Sequence, residues 1–382
     1  YNMSQQPIRV LHVISAMTNG GAENYIMNQY RRMDRNKIQF DFLTSRPGEY
    51  AFNDEIKRMG GKIYLIKPPT EQGAIGFVKD IVKIIKNDPS IKVIHAHTLL
   101  NCGLAMLAGY LGGLKIRISH SHSALRRPTP TIKRKLYDFS MRPLIKLLST
   151  KYFACGIEAG INLFGKNFEK YKKSKFIPNS IDLSRFIHKS PEQNKKLRKS
   201  LNIPDNAAIY TNIGRFTEQK NQPYSLKIAQ CLKNMNHRFK MLLIGQGKWF
   251  DYIRSMAKNM GLEDYVIIPG PRSDIPDIFS ITDVFILPSL FEGLPVTGIE
   301  AQASGIPCIF SDKVTKQADI GMNMCSFIGI EENDISKWAD ECIKLESVKY
   351  PDQQPIFERL KSLGYDSTAG AEYLSRVYLG LE

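Results

Sequence analysis

The chain has 382 residues, of which 43% are hydrophobic and 24% charged, and a formal net charge of +16 at pH 7. That length points to two domains, and the balance excludes disordered, fibrous and disulfide-scaffold classes. The charge is uneven: residues 1–182 hold 29 Lys and Arg against 13 Asp and Glu, whereas 183–382 hold 24 of each, so the first half is set to meet an anionic surface, nucleic acid or membrane.

Tyr1-Asn2 ahead of Met3 reads as a cloning remnant, and the first β-rich run, 9–14, is too short for a signal-peptide core. Gly20-Gly21 follow it. Two glycines let a backbone approach a ligand closely, and the helix start behind them offers free N–H groups to an anion. Further strand runs are expected at 38–44, 62–66, 92–98, 116–121, 151–156 and 175–179. His95 and His97 close the fourth run and are read as structural; His120 and His122 close the fifth. The largely apolar stretch 98–114 falls short of the ~20 residues a spanning helix needs and is read as a buried helix. No membrane span is expected.

Residues 126–151 carry eight Lys and Arg and one acid, Asp138. Ile132, Leu136, Phe139, Leu144 and Leu148 recur there at three- to five-residue intervals, and 166–175 add five lysines. The pattern fits a basic amphipathic stretch that touches an anionic membrane; a core helix with a solvated basic face is the plainer alternative. The segment 176–186, with Pro178, Asn179, Ser180 and Asp182, marks a boundary near residue 182. Beyond it strands are expected at 208–214, 240–245, 265–270, 283–289 and 306–311. Apolar strands alternating with helices imply parallel sheets covered on both faces. They are too many for one sheet, so the fold class is α/β with two doubly wound domains. The six cysteines are widely spaced, without a C-x-x-C pair, and read as reduced thiols; no metal site is expected.

The polar punctuation of the second half falls after strands, where open α/β sheets bind ligands. Arg215 and Lys220 follow the first strand, and a planar fork with a point charge suits a diphosphate. Gly245 and Gly270 end the next two. The stretch 289–307 sets Glu292 in a loop, Gly293, Leu294 and Pro295 in a turn, and Glu300 on the following helix. One carboxylate is placed for a sugar and the other for the vicinal hydroxyls of a ribose.

The motifs GGAE (20–23), HAHT (95–98), SHSHS (119–123), FIPNSID (176–182), GRFTEQKN (214–221), LIGQG (243–247) and EGLPVTGIEAQASGIP (292–307) resemble glycosyltransferase family 4, nearest to bacterial capsule and exopolysaccharide enzymes. The resemblance implies a GT-B fold: two Rossmann-like domains, 1–182 for the acceptor and 183–366 for the nucleotide sugar, facing each other across a cleft. A last helix in 367–382 crosses back to the first domain. It implies retaining hexosyl transfer from a nucleotide-diphosphate sugar, by family habit a UDP-sugar, to a polyprenyl-diphosphate-linked or other saccharide acceptor, in the cytoplasm or at the inner membrane face. No cofactor or bound metal is implied. Arg215 and Lys220 would neutralise the departing diphosphate, Glu300 would hold the ribose, and Glu292 with Gly293 and Leu294 would position the donor sugar. Gly20 and Gly21 would lie against the donor phosphates or the acceptor, Gly245 and Gly270 would bind the donor, and His122, or His120 beside it, would lie by the reacting sugar. Two positions depart from the family pattern. Ser180 stands where the linker carries glycine, and Gly298 where a bulkier apolar residue is common.

Rival readings are a sugar-nucleotide epimerase on the same architecture, a catalytically inactive partner subunit, and a non-enzymatic protein that binds nucleic acid or membrane. No recognised nucleic-acid motif supports the last, and no nucleic-acid partner is expected.

Overall fold

The computed structural model describes residues 6–18, 20–50, 52–122, 131–348, 350 and 352–382. The chain divides into two units, one made of residues up to Ile181 together with Gly364–Glu382, the other of Asp182–Leu363.

The first unit is built on a seven-stranded parallel sheet of β1 (Ile8–Val13), β2 (Ile38–Thr44), β3 (Ile63–Leu65), β4 (Ile91–Ala96), β5 (Ile116–Ser121), β6 (Lys151–Ala154) and β7 (Ser174–Phe176), in the order β3-β2-β1-β4-β5-β6-β7. The second carries six parallel strands, β8 (Ala208–Ile213), β9 (Phe239–Ile244), β10 (Val266–Gly270), β11 (Val284–Leu287), β12 (Cys308–Ser311) and β13 (Cys325–Ile328), in the order β10-β9-β8-β11-β12-β13. The same doubly wound order therefore occurs twice. In each sheet the strand order reverses between the first strand and the fourth, and ligands of open α/β sheets bind beyond the carboxyl ends at that reversal.

Alternation along the strands sorts the first unit's core into two layers. Leu11, Val13, Ile94 and Ala96 face one way, into a cluster with Phe77, Ile81, Leu104, Met141 and Ile145. Val10, Phe40, Phe42, Val93 and Ile118 face the other, packed by Tyr25, Ile26 and Tyr30 of the helix Gly21–Arg32 and by Ala371, Leu374, Val377 and Tyr378 of the helix Ser367–Tyr378. Each large side chain so buried contributes about 1.5–3 kcal/mol. The helix Ser367–Tyr378 thus belongs to the first unit, and Ile181 pairs with the chain just before it, its N–H donating to the Tyr365 carbonyl at 2.8 Å.

Among the described residues no helix is long and apolar enough to cross a membrane. The stretch expected to be amphipathic forms the helix Ile132–Leu148, with Pro143 inside it; residues 126–130 lie outside the described residues. Met141 and Ile145 are buried in the core, and Leu144 and Leu148 pack against it. Leu144 and Leu148 therefore leave the outward stripe in which they were placed. Ile132, Leu136, Phe139 and Leu147 are exposed instead, at spacings that keep one helical face.

Candidate active site

In the second unit, β8 runs into Gly214-Arg215-Phe216, and a short 3₁₀ turn, Glu218–Lys220, then carries Lys220. Asn221 follows in the left-handed region, φ 53°, which asparagine tolerates. Its side chain donates to the Pro288 carbonyl at 3.0 Å, and Leu290 N–H donates to the Gln219 carbonyl at 2.8 Å. These bonds tie the loop after β8 to the loop after β11 across the strand-order reversal. Lys220 Nζ then lies 2.5 Å from Glu292 Oε1, and Ser289 Oγ donates to the same oxygen at 3.0 Å. Glu292 Oε2 has no partner among the described residues. Arg215 is exposed, and its guanidinium has none either.

The glycines of the neighbouring loop hold this arrangement by packing. Gly245 has φ 144°, and a Cβ there would sit 1.9 Å from the Gly214 carbonyl oxygen; one on Gly247 would sit 2.5 Å from that of Phe216. The loops after β8 and β9 meet backbone to backbone, with Phe216 N–H donating to the Gln246 carbonyl at 2.9 Å. Gly270 lies behind them at φ 88°, its carbonyl accepting from Gly245 N–H at 3.1 Å. Gly245 and Gly270 thus have loop-packing contacts that set the backbone bearing Arg215.

Gly293 and Leu294 lead to the helix Val296–Ala303, and Pro295 stands at its N-cap. Glu300 projects from the helix's second turn, half-buried, without a side-chain hydrogen bond among the described residues. Burial raises its carboxyl to about 7, and the Arg185 charge partly offsets this. The departure at Gly298 has a packing cause: a Cβ there would meet Phe310 Cζ at 2.9 Å. The aromatic ring fills the space that a larger residue would take.

In the first unit, Gly20 caps the helix Gly21–Arg32, and a Cβ on it would strike Glu23 Oε2 at 2.5 Å. A Cβ on Gly21 would stand 3.8 Å from Asn179 Nδ2. Asn179 accepts from His122 at 3.0 Å (Oδ1 to Nδ1), and His122 Nε2 lies 2.8 Å from His97 Nδ1. His97 Nε2 lies 3.0 Å from His12 Nδ1. A second chain runs beside it: Tyr378 OH to His95 Nδ1 at 2.7 Å, and His95 Nε2 to His120 Nδ1 at 3.1 Å. The rings stack, with centroids 4.3 Å apart for His95 and His97 and 4.0 Å for His120 and His122. His12, His95 and His120 are fully buried. Burial and the neighbouring rings push His95, His97 and His120 well below the ordinary histidine range; burial holds His12 near 3 and His122 near 4. Two triads, His12/His95/His97 and His97/His120/His122, bring one nitrogen per ring within 4.8 Å of one another, close enough for a cation.

His122 is the partly exposed member of the set. His120, the alternative beside it, is sealed under Tyr25 and Phe153. Residues two apart do share a face; depth along the strand separates them. Sequence reading left out His12, Asn179, Ser289 and Arg185. A histidine inside the apolar run 9–14 was the one available signal for the first.

The chain belongs to the family 4 glycosyltransferases. Residues 19–185 match the pattern described as Glycosyltransferase Family 4, and 193–356 that of Glycosyl transferases group 1. EpsF of Bacillus subtilis, described as a glycosyltransferase, is 36% identical over 377 residues, covering 99% of this chain and 97% of its own. The UDP-Gal:alpha-D-GlcNAc-diphosphoundecaprenol alpha-1,3-galactosyltransferase of Escherichia coli is 23% identical over 354 residues, 90% of this chain and 89% of its own. Among solved structures, Anabaena HepE in complex with UDP and glucose aligns with a TM-score of 0.72 at 16% identity, covering 98% of this chain and 97% of that one. Its likeness supports the GT-B fold.

Proposed function

We propose that the protein transfers a hexose, with retention, from a UDP-sugar to a polyprenyl-diphosphate-linked saccharide in capsule or exopolysaccharide synthesis. The observation that carries this reading is the Lys220–Glu292 pair, with Lys220 on the same strand-end loop as Arg215, which is exposed and whose guanidinium has no partner among the described residues. Two cations beyond one strand stabilise the charge that develops on a departing diphosphate, commonly the largest catalytic contribution. They supply what a metal would otherwise supply, so the reaction as proposed uses none. Glu292 Oε2 remains for a donor-sugar hydroxyl, and the Glu300 carboxyl takes the ribose. Within the first unit, His122 and the Gly20-Gly21 turn are the groups proposed to meet a sugar. Two of the named proteins support the reading: one is a UDP-Gal transferase acting on a diphosphoundecaprenol acceptor, and HepE was solved with UDP and glucose.

We further propose that the first unit works at an anionic membrane, where such an acceptor would be presented. The stripe of Ile132, Leu136, Phe139 and Leu147 is exposed on a basic helix. Calorimetric titration with UDP and a panel of UDP-, GDP- and ADP-sugars, with Glu300→Ala as control, tests the donor assignment. Binding of uridine nucleotides alone, weakened in the variant, is expected; binding of none would overturn it.

A further inference from the structure

The alternation that builds the first unit's core places five of the chain's seven histidines on one face of its sheet. His12 continues the row of Val10, His95 and His97 that of Val93, and His120 and His122 that of Ile118. Three adjacent strands, β1, β4 and β5, thereby carry imidazole where apolar side chains would pack as well. The established class of the protein does not account for that.

A chain of neutral imidazoles has a direction, because each ring has one N–H and one lone pair. At one end Asn179 Oδ1 faces His122 Nδ1 at 3.0 Å. An amide oxygen only accepts, so His122 carries its proton on Nδ1 and offers a lone pair at Nε2. His97 must then donate from Nδ1, 2.8 Å away, and accept at Nε2. His12 must donate from Nδ1 across 3.0 Å, which leaves its Nε2 a bare lone pair. That nitrogen is buried and has no partner among the described residues. Three rings supply three protons for three bonds, and none is left over. A turned Asn179 amide would reverse every bond and strand an N–H at His12 Nε2. An orphaned buried N–H is the rarer defect in folded proteins, so both ends select the same direction.

We propose that His12 and His97 are positioning residues that fix His122 as a neutral imidazole protonated on Nδ1, so that it meets a sugar hydroxyl as a hydrogen-bond donor. The Nδ1–H form is the minority tautomer of a free neutral imidazole, and here three consecutive rings are held in it. A ring so held does not act as a base. On substrate entry the hydroxyl oxygen replaces Asn179 at Nδ1, while His97 keeps Nε2 occupied. The same pairing argues against a shared cation. The short contacts join ring nitrogens two by two in a line, as N–H···N bonds do, rather than turning three lone pairs on one centre. The role in transfer rests on the function proposed above; the tautomers do not.

Protein labelled with ¹⁵N-histidine, read by two-bond proton–nitrogen correlation at neutral pH, reports each tautomer without any substrate. Protonated Nδ1 is expected on His12, His97 and His122, each assigned by single replacement. A protonated Nε2 on His122 would overturn the proposal, as would a collective shift of the five rings on adding Zn²⁺. His97→Leu should release His122 into a tautomer mixture and lower kcat for UDP release from UDP-galactose or UDP-glucose about 10–100-fold, with KM for the donor little changed. His97→Gln keeps a donor and an acceptor and should restore both. Full activity in His97→Leu, with the tautomers as expected, would overturn the positioning role and leave the chain standing. Loss of UDP binding in wild type would instead count against the donor assignment.

Discussion

Lys220 and Glu292 come from loops that follow different strands, β8 and β11, yet their side chains meet at 2.5 Å with only 16% and 9% of their surfaces exposed. The bond is made at the point where the strand order of the second sheet reverses. It couples a cation suited to a diphosphate with a carboxylate suited to a sugar. Lys220→Ala should lower transfer about 10²–10³-fold. It should also destabilise the second unit by leaving a nearly buried carboxylate without a countercharge. Lys220→Ala/Glu292→Ala should be less destabilised than the sum of the single variants, with a coupling of about 0.5–3 kcal/mol in urea denaturation. Additive losses would mean that the two side chains act independently.

Burial pushes the Glu300 carboxyl up to about 7, so its charge varies around neutrality. Under the proposed function the charged form would accept from both ribose hydroxyls. UDP affinity should therefore rise as pH increases from 6 to 8, with proton release, and Glu300→Gln should bind more weakly with no such rise. Calorimetry in buffers of different ionisation enthalpy measures both effects.

Gly298→Ala puts a methyl 2.9 Å from Phe310 Cζ. Overpacking of this kind costs about 1–3 kcal/mol, and Phe310→Leu in the same chain should recover part of it. Thermal melts of the three variants decide this. A neutral Gly298→Ala would show that the Phe310 ring moves freely.

The two units should answer acid in opposite senses. The five clustered histidines have folded values far below the 6.5 of an unfolded chain. Below that pH the unfolded state binds more protons, so the first unit's stability is full above about pH 6.5 and falls toward pH 4, by up to about 1.4 kcal/mol per pH unit for each ring. Glu300 is raised, so its contribution is present at low pH and is lost as pH rises from 4.5 through 7. Both tryptophans, Trp249 and Trp338, lie in the second unit. Urea unfolding followed by tryptophan fluorescence should therefore hold or gain between pH 7.5 and 5, while the helix signal gains an earlier transition. Coincident curves at pH 5 would contradict this.

Vesicles containing anionic lipid should co-sediment the protein, less so at high salt. Serine at Ile132, Leu136 and Phe139 should reduce binding further, and neutral vesicles should bind little. Equal recovery on neutral and anionic vesicles would remove the membrane role.

Much of the fold was legible because buried parallel strands are written as apolar β-branched runs: β2 and β5 lie at the expected residues. β13 was not, because Cys325–Ile328 is a short edge strand, half-exposed, with no apolar run to betray it. In the site, cations and carboxylates that follow strands could be read from position alone. Ser289, Asn179 and Arg185 could not, since each matters through a contact made only on folding. Asn179 lay in a stretch that read as a domain boundary. Leu144 and Leu148 were assigned outward because apolar spacing does not say which of two apolar faces meets the core.

The helix Ser367–Tyr378 closes the face of the sheet on which the histidines lie, and Tyr378 OH bonds His95. That helix is translated only after the whole of Asp182–Leu363. At roughly 5–20 residues per second a ribosome takes about 10–40 s to cover that distance. For that interval the nascent first unit carries a partly uncovered apolar face, and His95 lacks its Tyr378 partner. The second unit, contiguous in the chain, is free to finish first. Biosynthesis therefore inverts the order of the sequence: the unit begun first is completed last.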